Sequence, residues 1–194
     1  MIIETLDRIK IVPVLVLDTV DEGLEMCEKL CANGLPAAEP VIRAAVKRFP
    51  EMCIGAGTVL NIGDLHRAED AGAKFAVAPG FNPKVVSDAK ESGFAFIPGV
   101  CTPSEIEQAL EFGLKLLKFF PAEASGGVAM LKSLIAPYRH LGVRFMPTGG
   151  VKPANVESYL QIPEVAAVGG TWLNRCDDAT IREAAAVARK YAVK

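Results

Sequence analysis

Residues 74–121, KFAVAPGFNPKVVSDAKESGFAFIPGVCTPSEIEQALEFGLKLLKFFP, repeat one unit: a short apolar run, a turn signal, then a helical pattern. The apolar runs are Phe75 to Pro79, Phe94 to Pro98 and Leu116 to Pro121. Pro83 and Pro103 sit where a first helical residue is expected, because proline has no N–H to leave unsatisfied there. Thr102 followed by Glu105 fits a capping box, in which hydroxyl and carboxylate satisfy orphan N–H groups reciprocally. Outward from this stretch the unit recurs roughly every 20 residues. Further strand-like segments run from Ile11 to Leu17, Leu35 to Glu39, Met52 to Thr58, Arg144 to Thr148 and Val165 to Gly169. Thr19 with Glu22 predicts a second capping box, and Pro153 another helix start. Val20, Leu24, Cys27 and Cys31 form an apolar stripe at helical spacing. Most of the eight segments are continuous apolar runs, as expected of parallel strands covered on both faces. The fold class predicted is α/β, a single (β/α)8 TIM barrel with an N-terminal helix. An open doubly wound sheet would call for a GxGxxG or GxxxxGK[ST] turn after an early strand, and neither is present.

At 194 residues and 51% hydrophobic, the chain suits one domain over 1–194 with a large core. A net charge of −2 with no clustered Lys or Arg speaks against nucleic acid as a partner. Early charges in MIIETLDRIK and the lack of a long apolar run predict no signal peptide, no membrane partner and a cytoplasmic location. Five cysteines, with three residues rather than the two of a CxxC pair between Cys27 and Cys31, read as reduced core thiols. His66 and His140 are the only histidines, too few for a dedicated metal site, so neither metal nor cofactor is expected.

The chemistry is expected at strand C-terminal ends, where such barrels place their sites. Lys118 lies within an otherwise apolar strand and, by period two, shares a face with Leu116 and Phe120. A lysine held there is either desolvated, which lowers its pKa and yields a nucleophilic amine, or paired with a carboxylate. Lys115 reads as solvated. Thr148-Gly149-Gly150 closes the seventh segment and Gly169-Gly170-Thr171 the eighth. Each pair could be a tight turn, but their joint placement after strands seven and eight suits a phosphate held by backbone N–H groups. Gly55-Ala56-Gly57-Thr58 permits close approach and offers a hydroxyl. Glu39 faces the same mouth or simply stabilises a helix N-terminus.

LLKFFPAEASGG, GAGTVL, VAPGF, IPGVCTP, FMPTGGVKPANV and VGGTWL, in this combination, resemble the 2-keto-3-deoxy-6-phosphogluconate (KDPG) aldolases, also called 4-hydroxy-2-oxoglutarate (KHG) aldolases. The resemblance spans nearly the whole chain. It implies a class I aldolase in which Lys118 forms the Schiff base and Glu39 transfers protons. Thr58, Pro79, Phe120 and Thr148 would hold the keto acid, while Gly149, Gly150, Gly170 and Thr171 would receive the phosphate. Thr171 replaces the family's usual serine and keeps the hydroxyl. Implied partners are a 2-keto acid, a phosphorylated aldehyde and, in a homotrimer, further copies of the chain.

One departure stands out. The family places an arginine and several small residues after the glutamate, whereas here Glu39 meets Pro40 directly. Either Arg43 is the substrate arginine, or Pro40 to Pro50 is already helix. Ile42-Arg43 and Pro50 fall in helix register, which favours the second and leaves Arg43 outside the site. A segment carrying the arginine is then expected to be absent from the sequence between residues 39 and 40, with a true deletion as the other reading. The rival functions are a phosphosugar isomerase or epimerase, a non-catalytic phosphate-ligand binder and a weakened aldolase.

Overall fold

The computed structural model describes residues 2–15, 21–26, 42–174 and 176–193. Its strands are β1 (Ile11–Pro13), β2 (Gly55–Ala56), β3 (Phe75–Val77), β4 (Phe96–Ile97), β5 (Gly99–Val100), β6 (Leu116–Phe119), β7 (Arg144–Phe145) and β8 (Val168–Gly170). Pairing is parallel throughout: β2 to β3 to β4, β5 to β6 to β7, and β8 to β1. Bridges at Phe145–Val165 and Thr148–Gly169 join the ends of β7 and β8. β4 and β5 flank Pro98, whose carbonyl accepts the Lys118 N–H at 2.8 Å. The segment predicted to end at Pro98 therefore runs on to Val100. Leu35 to Glu39, the predicted second strand, lies outside the described residues, as do the Glu39–Pro40 junction, Thr19, Val20, Cys27 and Cys31.

Alternation along β6 divides the core in two. Leu117 and Phe119 belong to an outer cluster with helix residues such as Val85, Ile106 and Leu131. Leu116 joins an inner cluster with Val12, Phe75, Ile97 and Met146. The N-terminal helix Ile2–Ile9 feeds Leu6 into that inner cluster, with Ile2, Ile3 and Ile9 packed against it. Lys10, at φ 56, ends this helix, and Asp7 pairs with its Nζ at 2.9 Å and with the Arg144 guanidinium. One end of the inner core is thus capped by a helix and buried charges.

Helix starts follow local chemistry. Thr102 and Glu105 form the full capping box before helix Pro103–Glu111. Asn82 caps Pro83–Ser92, with proline at the helix start as predicted. Pro153 is a correction: the helix begins at Val156 instead. Asn155 accepts from the Lys152 N–H at 2.8 Å and donates to the Gly150 carbonyl, closing a turn that holds Pro153 outside the helix. Arg43 is exposed on helix Ile42–Arg48, the arrangement of the favoured alignment. Cys53 and Cys101 are free thiols and the Cys176 thiol donates to the Leu173 carbonyl; all three are only half-buried, so they sit at the edge of the core rather than within it. No helix among the described residues is long and apolar enough to cross a membrane.

Candidate active site

Lys118 stands one step beyond Leu116 on the inward face of β6, and the period of two puts it there. It is 8% exposed and lines a cavity with Val12, Gly55, Thr58, Phe75, Met146 and Thr148, so residues of β1, β2, β3 and β6 and of the segment after β7 line one cavity. Burial pushes its pKa down from 10.5 to about 8. No carboxylate pairs with it among the described residues, and Glu39 lies outside them. Its Nζ stands over the Phe120 ring, 4.6 Å from the centroid. A quadrupole interaction of this kind favours the cation, yet desolvation dominates. At pH 7 a pKa near 8 leaves roughly a tenth of the amine neutral, against about one part in 3,000 for an ordinary lysine.

Glycines make the room. A Cβ on Gly55 would lie 2.4 Å from the Phe75 ring, so Phe75 fills the cavity floor only because Gly55 has no side chain. Gly99 is the ladder partner of Lys118, and a Cβ there would lie 2.1 Å from the Pro79 carbonyl oxygen. Pro79 therefore packs beside the lysine's strand position although it does not line the cavity. Thr58, at the end of the β2 segment, has φ 56. A β-branched residue is strained in that region, and such strain concentrates at functional sites.

The loops after β6 and β7 are locked together. Ala122 N–H donates to Thr148 O at 2.8 Å, and Glu123 N–H to Gly149 O at 3.0 Å. In a trans peptide the C=O and the following N–H point opposite ways. Both bonds therefore aim the Gly149 and Gly150 N–H groups away from the β6 loop, and neither donates to an acceptor among the described residues. Gly149 and Gly150 reach this geometry at φ 99 and 81, which favours glycine. Two successive outward N–H groups make a concavity suited to an anion. Gly170 differs: its Cα lies under the Trp172 indole, where a Cβ would come within 1.7 Å of the ring. Thr171 is exposed beside it.

Of the predicted site residues, Lys118, Thr58 and Thr148 share the cavity; Phe120 touches Nζ, Gly149 and Gly150 stand at the rim, and Glu39 is outside the described residues. The sequence reading missed Val12, Phe75, Met146 and Gly169 as cavity walls. A strand covered on both faces gives no apolar–polar alternation to tell inner residues from outer ones. Gly169 carried a signal only as part of the glycine pair; in the structure a Cβ there would meet the Thr148 hydroxyl at 2.5 Å.

Comparison with known proteins follows the same residues. The family model for KDPG and KHG aldolase matches residues 2–189. A 2-dehydro-3-deoxy-phosphogluconate aldolase of Haemophilus influenzae is 45% identical over 180 residues, covering 88% of this chain and 84% of that protein. The KDPG aldolase of Legionella pneumophila, solved with pyruvate captured as a covalent carbinolamine, is 31% identical, with a TM-score of 0.85 over 98% of both chains. The Zymomonas mobilis enzyme, solved with 3-phosphoglycerate, is 34% identical with a TM-score of 0.84, over 98% of this chain and 95% of that one. With the motifs, the buried amine and these matches in agreement, the chain belongs to the KDPG and KHG aldolase family.

Proposed function

We propose that this protein is a metal-independent class I aldolase that reversibly cleaves 2-keto-3-deoxy-6-phosphogluconate to pyruvate and glyceraldehyde 3-phosphate. It also cleaves 4-hydroxy-2-oxoglutarate to pyruvate and glyoxylate. The observation that carries the reading is Lys118, a buried amine without a carboxylate partner among the described residues, lining a cavity at strand ends. Covalent capture of pyruvate by the Legionella relative supports it.

The neutral Lys118 amine attacks C2 of the keto acid, and loss of water from the carbinolamine leaves an iminium. A base removes the C4 hydroxyl proton, the C3–C4 bond breaks, and its electron pair flows into the iminium to give an enamine. The aldehyde leaves. Protonation of the enamine at C3 and hydrolysis then release pyruvate and restore the lysine. Glu39 is the proposed acid and base. Thr58, Pro79, Phe120 and Thr148 form the keto-acid end, and Gly149, Gly150, Gly170 and Thr171 the phosphate end, with the outward N–H groups of Gly149 and Gly150 as its main donors. The strands are read as one closed eight-stranded barrel domain, supported by a cavity that β1 and β2 line together. The family resemblance extends the reading to a cytoplasmic homotrimer.

Reduction with borohydride in the presence of pyruvate tests the assignment. Peptide mapping is expected to find the adduct at Lys118, with an adduct-formation rate that rises about tenfold per pH unit below 8 and levels above it. Modification of Lys115 or Lys132, or of no lysine, would overturn it. A second reading, a weakened aldolase, rests on the direct Glu39–Pro40 junction and on Arg43 pointing to solvent from its helix. Trapping at Lys118 without measurable KDPG turnover would favour it.

A further inference from the structure

Tyr159 is completely buried at the end of helix Val156–Leu160, yet its hydroxyl reaches the Oε1 atom of Glu123, an exposed residue at the rim. Burial, and next the bond to Glu123, push the phenol well above its ordinary pKa, so it stays a neutral donor. The carboxylate it holds lies against Gly127, the first residue of helix Gly127–Tyr138, where a Cβ would come within 3.1 Å of Oε1. On its other side Glu123 underlies Gly150, whose Cβ position is 2.6 Å from the Glu123 Cβ. The same residue's N–H fixes the Gly149 carbonyl. The Glu123 side chain thus packs against the Gly149–Gly150 turn, whose N–H groups are aimed at an anion. Left free, it would swing over them and repel phosphate.

We propose that Tyr159 is a positioning residue: it tethers the Glu123 carboxylate back against the helix start, keeping the Gly149–Gly150 concavity open to the substrate phosphate. This rests on the aldolase reading above for the identity of the phosphorylated substrate and for the Gly149–Gly150 phosphate end. The tether acts on phosphate binding and leaves the reacting carbons untouched, so its removal separates two substrates that differ in the phosphate.

Tyr159→Phe keeps the buried ring and deletes the donor. It is expected to raise KM for KDPG and the inhibition constant of inorganic phosphate about tenfold, the effect of losing one hydrogen bond to a charged group. Cleavage of 4-hydroxy-2-oxoglutarate, which has no phosphate, should stay within about twofold by the same reasoning. Adding Glu123→Gln to Tyr159→Phe removes the repelling charge and should restore most of the phosphate affinity, an effect no merely structural role predicts. Equal losses on both substrates, or a double variant no better than the single, would overturn the tether. Should Tyr159→Phe fail to fold, Glu123→Gln alone decides. The tether predicts undiminished binding of inorganic phosphate, and a clear weakening refutes it. Phosphate binding is also followed calorimetrically, so that a wild type that traps no pyruvate would end the aldolase reading while the tether was still judged on its own.

Discussion

Lys118→Met is expected to abolish aldol cleavage, by at least about 10³-fold, while making the protein more stable at pH 7. The two effects have one origin. Burial holds the Lys118 pKa near 8 against an ordinary 10.5, so in the folded chain the charged form is disfavoured by about 3 kcal/mol. Below pH 8 the lysine is protonated in both folded and unfolded chains, and the folded state carries the whole penalty. Between pH 8 and 10.5 the unfolded chain holds a proton that the folded one has released, so wild-type stability rises with pH. Above 10.5 both are neutral and the penalty is gone. Methionine has a similar stem and no charge, and it suits an apolar wall. In urea denaturation the variant should exceed the wild type by about 3 kcal/mol at pH 7, the two converging towards pH 10.5. A variant that is less stable than wild type at pH 7, or a stability difference independent of pH, would show that Lys118 is not the strained group described here. Such a cost is the stability–activity trade-off expected of a catalytic amine kept out of water.

Lys118 was legible in the sequence because one cation in an apolar strand of period two has two faces to choose from, and Leu116 marks the inner one. Six of the eight predicted segments contain an observed strand within their bounds. Of the other two, Leu35 to Glu39 lies outside the described residues and β8 runs on to Gly170, one residue past its segment; the Phe94 segment, one of the six, carries pairing on past Pro98. Proline lacks only its own N–H; its carbonyl still serves the ladder, which a reading of proline as a terminator overlooks. Phe75 and Met146 were not legible as cavity walls because both faces of their strands are covered, and only packing tells which residue turns inward. Glu123 and Tyr159 stand far apart in sequence and meet through the fold alone. The glycine pairs show both outcomes side by side. Gly149 and Gly150 present N–H groups with no acceptor among the described residues, whereas Gly170 serves chiefly to seat Trp172. In sequence they are the same dipeptide.

That difference makes Gly150 the position at which phosphate recognition is best tested. A Cβ on Gly170 would overlap the Trp172 ring, and one on Gly149 would meet the backbone of Pro121 at 3.2 Å, so either change moves more than the rim. At Gly150 the Cβ position lies 2.6 and 2.7 Å from the Glu123 Cβ and Cγ, the near end of that side chain, so the change also shifts Glu123. The Gly150 φ of 81 opposes any L residue, so Gly150→Ala is expected to turn the Gly149–Gly150 peptide out of line, at a cost of about 1–3 kcal/mol in stability. Loss of an N–H donor to a doubly charged phosphate should then weaken KDPG binding roughly 10- to 100-fold. In the proposed mechanism, cleavage of 4-hydroxy-2-oxoglutarate depends on Lys118 and the keto-acid end, and it should fall far less. Steady-state kinetics on both substrates, with the melting curve as a check on folding, decide the matter. Parallel losses on the two substrates in a folded variant would place the phosphate elsewhere, and the outward N–H groups would then be no more than the open side of a turn.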